Sequence, residues 1–260
     1  TADCCVFLGS GEKVFKLEED IEIPDSMPQA SMIVNQSATV CVNEIKTIRD
    51  KAVVRGEAVI STLYLSDMES GKLETLSVSL PYHQILEVAG IEEDDTCRIT
   101  AKLKSGDFAL YENASGENRI ISASCEIMIM CNAYSCKELS LLSDAYSPTG
   151  KCELKQGSAE LMKLCGNLSS TANINAQLDL PHKLDTIVYA AAQPSVVYCE
   201  VVQGVLKVAG ELDVSLLIKC EGQAVDGYDE TIPFAAEMPV KCGCSKYYCT
   251  ASAALESLSS

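Results

Sequence analysis

The strongest constraint on this chain is alternation of apolar and polar residues with a period of two. Ile121, Ala123, Cys125, Ile127, Ile129 and Cys131 fall on one face of an extended run, and Ser122, Ser124 and Glu126 fall on the other, followed by Met128 and Met130. Leu212, Val214, Leu216 and Ile218 oppose Glu211, Asp213, Ser215 and Lys219 in the same way. Ala172, Ile174, Ala176, Leu178 and Leu180 alternate with Asn173, Asn175, Gln177 and Asp179. Successive side chains of a strand point to opposite faces, so this period predicts half-buried strands. Turn-forming residues at 67–71, 92–95, 113–118, 221–222 and 226–227 separate the runs at hairpin spacing. The long crossover helices that a parallel sheet requires are missing. Only residues 158–165 and 83–88 are expected to form a turn or two of helix. The expected fold is all-β: two tandem, related antiparallel sandwich- or barrel-like domains with few short helices.

An internal repeat supports the tandem arrangement. Residues 54–64 match 208–218, each a Gly-Glu entry (Gly56-Glu57 and Gly210-Glu211) into a long strand. Leu80-Pro81-Tyr82 matches Ile232-Pro233-Phe234, and the copies then run without a gap to Leu103 and Leu255, setting Cys97 opposite Cys249. Upstream, Ile21-Glu22-Ile23-Pro24 matches Leu178-Asp179-Leu180-Pro181. Pro24, Gly56, Pro81, Pro181, Gly210 and Pro233 are therefore the structural anchors. The expected organisation is a flexible Cys-containing arm over 1–12, a first β domain over 13–145, a linker over 146–157 and a second β domain over 158–260. The second copy stops just after the equivalent of Leu103 and is expected to be C-terminally incomplete. A longer chain, one sheet shared by the repeats, or a strand from another subunit would each complete it.

These motifs, in this order, resemble the SPOCS (spore-coat-associated) domain family of spore-forming Firmicutes, chiefly clostridia. Ile21-Glu22-Ile23-Pro24-Asp25 resembles the family's N-terminal entry, and Val54-Arg55-Gly56-Glu57 leading to Leu63-Tyr64-Leu65 resembles its central strand. Leu80-Pro81-Tyr82 resembles its Pro-aromatic element, and Ser143-Asp144-Ala145-Tyr146-Ser147-Pro148 resembles its inter-unit linker. The resemblance implies a sporulation protein that builds the coat, exosporium or a spore appendage, made in the mother-cell cytoplasm and deposited on the spore surface. It also implies an alternative, a mother-cell adaptor for a coat morphogenetic protein. Adaptors of this kind end in a LysM module, and no LysM-like segment is visible here.

Side-chain chemistry is concentrated in cysteine. The 260 residues include fourteen Cys but only two His and no Trp. A chain of this length has a core large enough to fold without staples, so disulfides would serve durability or assembly. Adjacent Cys4 and Cys5 on an N-terminal arm are expected to reach a neighbouring subunit, with Cys242, Cys244 and Cys249 as candidate partners. Cys125, Cys199 and Cys220 fall in strand-like runs and are expected to act as buried small apolar residues. Structural zinc sites usually pair ligands as C-x₂₋₄-C. The spacings Cys131-x₄-Cys136 and Cys242-x-Cys244-x₄-Cys249 depart from that, so no metal ligand is expected.

Catalysis is not expected either. His83 and His182 each follow a Pro-containing turn with no nucleophile motif beside them, and the chain contains no G-x-S-x-G, P-loop or Rossmann fingerprint. No catalytic or cofactor-binding residue is assigned and no cofactor is implied. A net charge of −17 argues against nucleic acid, which demands clustered Lys and Arg. The absence of Trp disfavours an aromatic glycan- or peptidoglycan-binding platform, the third functional alternative. No apolar run approaches the roughly 20 residues of a membrane-spanning helix, and the opening Thr1-Ala2-Asp3-Cys4-Cys5 lacks the pattern of a secretion leader. The expected partners are copies of the chain itself and other spore coat proteins. The expected role is a self-assembling structural protein held by intersubunit disulfides.

Overall fold

Alternating, β-branched segments bounded by turn residues become long antiparallel strands. The computed structural model describes residues 1–258 except 68–70, 143, 152, 154, 156, 178, 180–182, 222–223 and 256–257. Among them are β1 (Ala2–Glu22), β2 (Met32–Ile48), β3 (Lys51–Asp67), β4 (Lys72–Glu87), β5 (Thr96–Glu112) and β6 (Asn118–Leu139). Further along are β7 (Leu184–Val202), β8 (Val205–Cys220) and β9 (Val225–Pro239). They form three-stranded sheets ordered β1-β6-β5, β2-β3-β4 and β7-β8-β9, with every pairing antiparallel. The chain divides into two units, Thr1–Leu164 and Cys165–Ser260.

In the first unit two sheets pack face to face as a sandwich. Val54, Ala58, Ile60 and Tyr64 of β3 meet Ile121, Ala123, Cys125, Ile127, Ile129 and Cys131 of β6 in one core. All six of those β6 residues are at most 1% exposed, so the expected face is the core face. Each fully buried Ile or Leu contributes about 1.5–3 kcal/mol relative to exposure. The Phe15 ring of β1 and the Tyr82 ring of β4 also meet across the two layers, 5.4 Å apart. Arg119 fixes the connector after β1 by donating to the Pro24 and Met27 carbonyls at 3.2 and 2.9 Å.

The second unit repeats the β2-β3-β4 sheet register for register. Gly56 lies opposite Tyr82 and Glu57 opposite Pro81; Gly210 lies opposite Phe234 and Glu211 opposite Pro233. On the other side Val42 faces Gly56 and Val196 faces Gly210, and a β-bulge follows each pair, at Val42/Glu44 and Val196/Tyr198. A second matched bulge follows Ile33 and Ile187. Pro81 and Pro233 both sit on edge strands, where proline is tolerated in a sheet. The expected face of Leu212, Val214, Leu216 and Ile218 is buried, against Ile187 and Ala190 of β7, Ile232 and Phe234 of β9, and Leu255.

Four expectations need correction. The arm over 1–12 is not a free segment: it forms the first half of β1, paired with β6 from Ala2 opposite Leu139 onward, with a bulge at Phe7/Gly9. β6 is 22 residues long, and this pairing satisfies backbone groups that would otherwise line an open edge. Residues 83–88 are not helical. His83 faces Arg55 and Glu87 faces Lys51 in the β3–β4 ladder, and Leu80, Tyr82, Leu86 and Val88 are buried with period two. Residues 158–165 form neither helix nor strand, and no described residue is helical. Residues 172–177, expected as a strand, are exposed and unpaired in any ladder. Their counterpart β1 is held by β6, and among the described residues no strand pairs with 172–177. The anchor Pro181, along with His182, Leu178 and Leu180, lies outside the described residues.

Candidate functional site

The fold gathers most of the described cysteines into small groups, each within one unit. Cys5 on β1 is directly opposite Cys136 on β6. Burial, then Cys136 and Cys4, raises the Cys5 thiol above its ordinary range. On the next pair of strands Ile99 faces Cys131 and Cys97 faces Ala133, which sets Cys97 diagonally beside Cys131. Burial, reinforced by Cys97, pushes the Cys131 thiol up to about 12. In the second unit the Cys249 thiol donates to the Cys199 carbonyl at 3.2 Å. Burial, then Cys249, raises Cys199.

A trio stands apart from these pairs. Cys165, Cys242 and Cys244 bring their three sulfurs within 4.8 Å of one another. The Cys165–Cys244 and Cys242–Cys244 separations are 3.6 and 3.3 Å. The segment that carries the last two is pinned by Tyr247, whose hydroxyl donates to the Cys242 carbonyl and accepts the Cys244 N–H at 3.0 Å. Burial, then Cys242 and Cys244, pushes the Cys165 thiol up to about 12. Sequence spacing did not reveal this group, because Cys165 joins the Cys242-x-Cys244 pair from a distant segment.

The remaining expected positions are individual. Cys4 is buried at 6% exposure and Cys5 is turned to Cys136, so neither is presented to a neighbour as an arm thiol would be. Cys242 and Cys244 face Cys165, and Cys249 faces Cys199. Cys125 and Cys220 are buried as expected, whereas Cys199 is half-buried. His83 stands in β4 opposite Arg55. Cys152 lies outside the described residues.

A second feature is the outer edge of β7. Among the described residues its only ladder partner is β8. The strand contains no Lys or Arg and exposes Leu184, Val197, Tyr198 and Val202, with Val197 at 71%. Natural edge strands are usually blunted by Lys, Pro or bulges. β7 has Pro194 and bulges but no cation.

Fold and thiol geometry together define a tandem antiparallel β-protein whose distinctive chemistry is sulfur. Residues 29–110, which span β2 to β4 and most of β5, match the family model of the SipL, SPOCS domain. Over these residues the chain resembles the SPOCS domain, and that likeness suggests a sporulation-related protein. No curated protein and no solved structure matches the chain. Among the described residues no helix is long and apolar enough to cross a membrane.

Proposed function

We propose that this chain is a non-enzymatic structural protein of the spore surface, made in the mother cell and built into a layer or appendage by joining copies of itself and other coat proteins. The second unit is a further SPOCS-type repeat, as its matched register and bulges argue. The observation that carries the reading is the β7 edge: a 19-residue strand with one side unpaired among the described residues, four exposed large apolar residues and no cation. Such an edge is a template for strand addition, in which backbone hydrogen bonds supply affinity. The thiol pairs add durability. Once the mother cell lyses and the surroundings oxidise, Cys5 with Cys136, Cys97 with Cys131 and Cys199 with Cys249 close within each subunit. Cross-links between copies through Cys4, Cys5, Cys242, Cys244 or Cys249 then require these intrachain contacts to open.

Immunogold labelling of sporulating cells and released spores tests the placement. Label concentrated on the surface of mature spores is expected. Label confined to the mother-cell cytoplasm and absent from released spores would overturn the proposal in favour of an adaptor.

A further inference from the structure

The Cys165, Cys242 and Cys244 trio differs in kind from the paired thiols. A disulfide joins two sulfurs at about 2.05 Å and would leave the third unused. Four ligands placed tetrahedrally at the usual zinc–sulfur length of about 2.3 Å stand about 3.8 Å from one another. The separations of 3.6 and 3.3 Å, with all three sulfurs inside 4.8 Å, are close to that edge length. The local chain explains how they converge. In an extended segment residues two apart point the same way, so Cys242-x-Cys244 offers two thiols to one side. Tyr247 braces that segment at both the Cys242 carbonyl and the Cys244 N–H. Cys165 supplies the third sulfur from the start of the second unit.

We propose that Cys165, Cys242 and Cys244 bind a thiophilic divalent cation of the zinc class, as three of its ligands. Thiolates are the binding form, so each thiol loses its proton and up to three protons leave as one cation enters. The cation neutralises negative charge that three adjacent thiolates could not otherwise hold together. It also ties residues 242–247 to Cys165, a segment that has no strand pairing of its own. Binding free energy at such a site stabilises the folded unit. This inference is independent of the β7 edge and of where the protein is deposited.

The test uses the full chain, reduced and stripped of metal, titrated with Co²⁺ and then Zn²⁺. A thiolate-to-cobalt charge-transfer band saturating near one equivalent, and displaced by Zn²⁺, is expected. C165S/C242S/C244S should lose the band, while C5S/C136S and C199S/C249S retain it. Wild-type protein gives a readout that no folding defect can confuse. Zn²⁺ should slow iodoacetamide labelling of Cys165, Cys242 and Cys244 at least tenfold and leave exposed Cys136 unchanged. No band, a band that survives in C165S/C242S/C244S, labelling slowed equally everywhere, or a disulfide between two of the three in reduced, zinc-supplied protein would each overturn the site.

Discussion

Tyr82 lies across the α-carbon of Gly56, its directly opposed partner between β4 and β3. A Cβ at Gly56 would come within 2.5 Å of Tyr82 Cζ, and one at Gly210 within 2.5 Å of Phe234 Cζ. In both units an aromatic ring covers a strand glycine beside a bulge, a pairing that recovers packing the glycine itself cannot supply. The repeat is thus a repeat of mechanism as well as of residues.

Gly56→Ala and Gly210→Ala should each destabilise the protein by about 1–3 kcal/mol, because ring and adjoining backbone must both shift. Gly157 has nothing within 4 Å of a built Cβ, so Gly157→Ala should change stability by about 0.5 kcal/mol or less. Denaturant titration of the three variants against the parent checks this ordering. Equal effects at all three positions would refute the ring-over-glycine account.

Alkaline stability should fall in a defined window. Cys131 ordinarily ionises near 9.0, and burial pushes it up to about 12. Tyr82 ordinarily ionises near 10.0, and burial, then Cys41, pushes it up to about 12. Both groups are buried and neutral in the folded chain, so their contribution is intact below their ordinary values. It is lost as pH rises from about 9 toward 12, because the unfolded chain gives up these protons first, at up to about 1.4 kcal/mol per pH unit for each group. Tyr82→Phe removes the hydroxyl that donates to the Cys41 carbonyl at 2.8 Å. It should cost about 1 kcal/mol at neutral pH and flatten the decline above pH 10. Phe234 already occupies the equivalent position in the second unit. Melting curves of parent and variant from pH 7 to 11.5 measure both effects.

Mild oxidation of the purified chain should yield Cys5–Cys136, Cys97–Cys131 and Cys199–Cys249 disulfides inside one molecule. Peptide mapping without reductant identifies them. A long-range staple of this kind stabilises by about 2–4 kcal/mol, so the oxidised chain should melt higher, and C5S/C136S should lose part of that gain. Predominant cross-links between molecules through Cys4 or Cys5 would contradict the intrachain pairing.

Much of the scaffold was legible in the residues. The Ile121–Cys131 and Leu212–Ile218 faces read correctly because each sits on a central strand, flanked on both sides, where alternation is enforced by a core. Gly56 and Gly210 mark close approaches, and Pro81 and Pro233 stand on edge strands, positions that few residue types tolerate. The first half of β1 was not legible. Gly9-Ser10-Gly11 beside adjacent cysteines carries no strand pattern, and only the length of β6 recruits it. Residues 172–177 misled in the opposite direction, since alternation creates a strand only where a ladder partner exists. In β4, polar Gln84 interrupts the period that Leu80, Tyr82, Leu86 and Val88 otherwise follow, which made 83–88 look helical. The thiol groups were invisible because partners such as Cys5 and Cys136, or Cys165 and Cys244, meet only through the folded topology.

Strand addition at β7 predicts a specific interruption. Val197→Lys and Tyr198→Lys place cations on the exposed edge without entering the core, and edge cations oppose pairing with another chain. Both variants should melt within a few degrees of the parent yet fail to assemble, as judged by sedimentation. Unchanged assembly would move the contact elsewhere.

Negative-stain electron microscopy of the purified full chain, incubated under oxidising conditions, tests the central claim most directly. Extended fibres or sheets that disappear in Val197→Lys are expected. A field of single, separate molecules at every concentration, with no ordered assembly before or after oxidation, would contradict the proposal that this protein builds a structure by joining copies of itself.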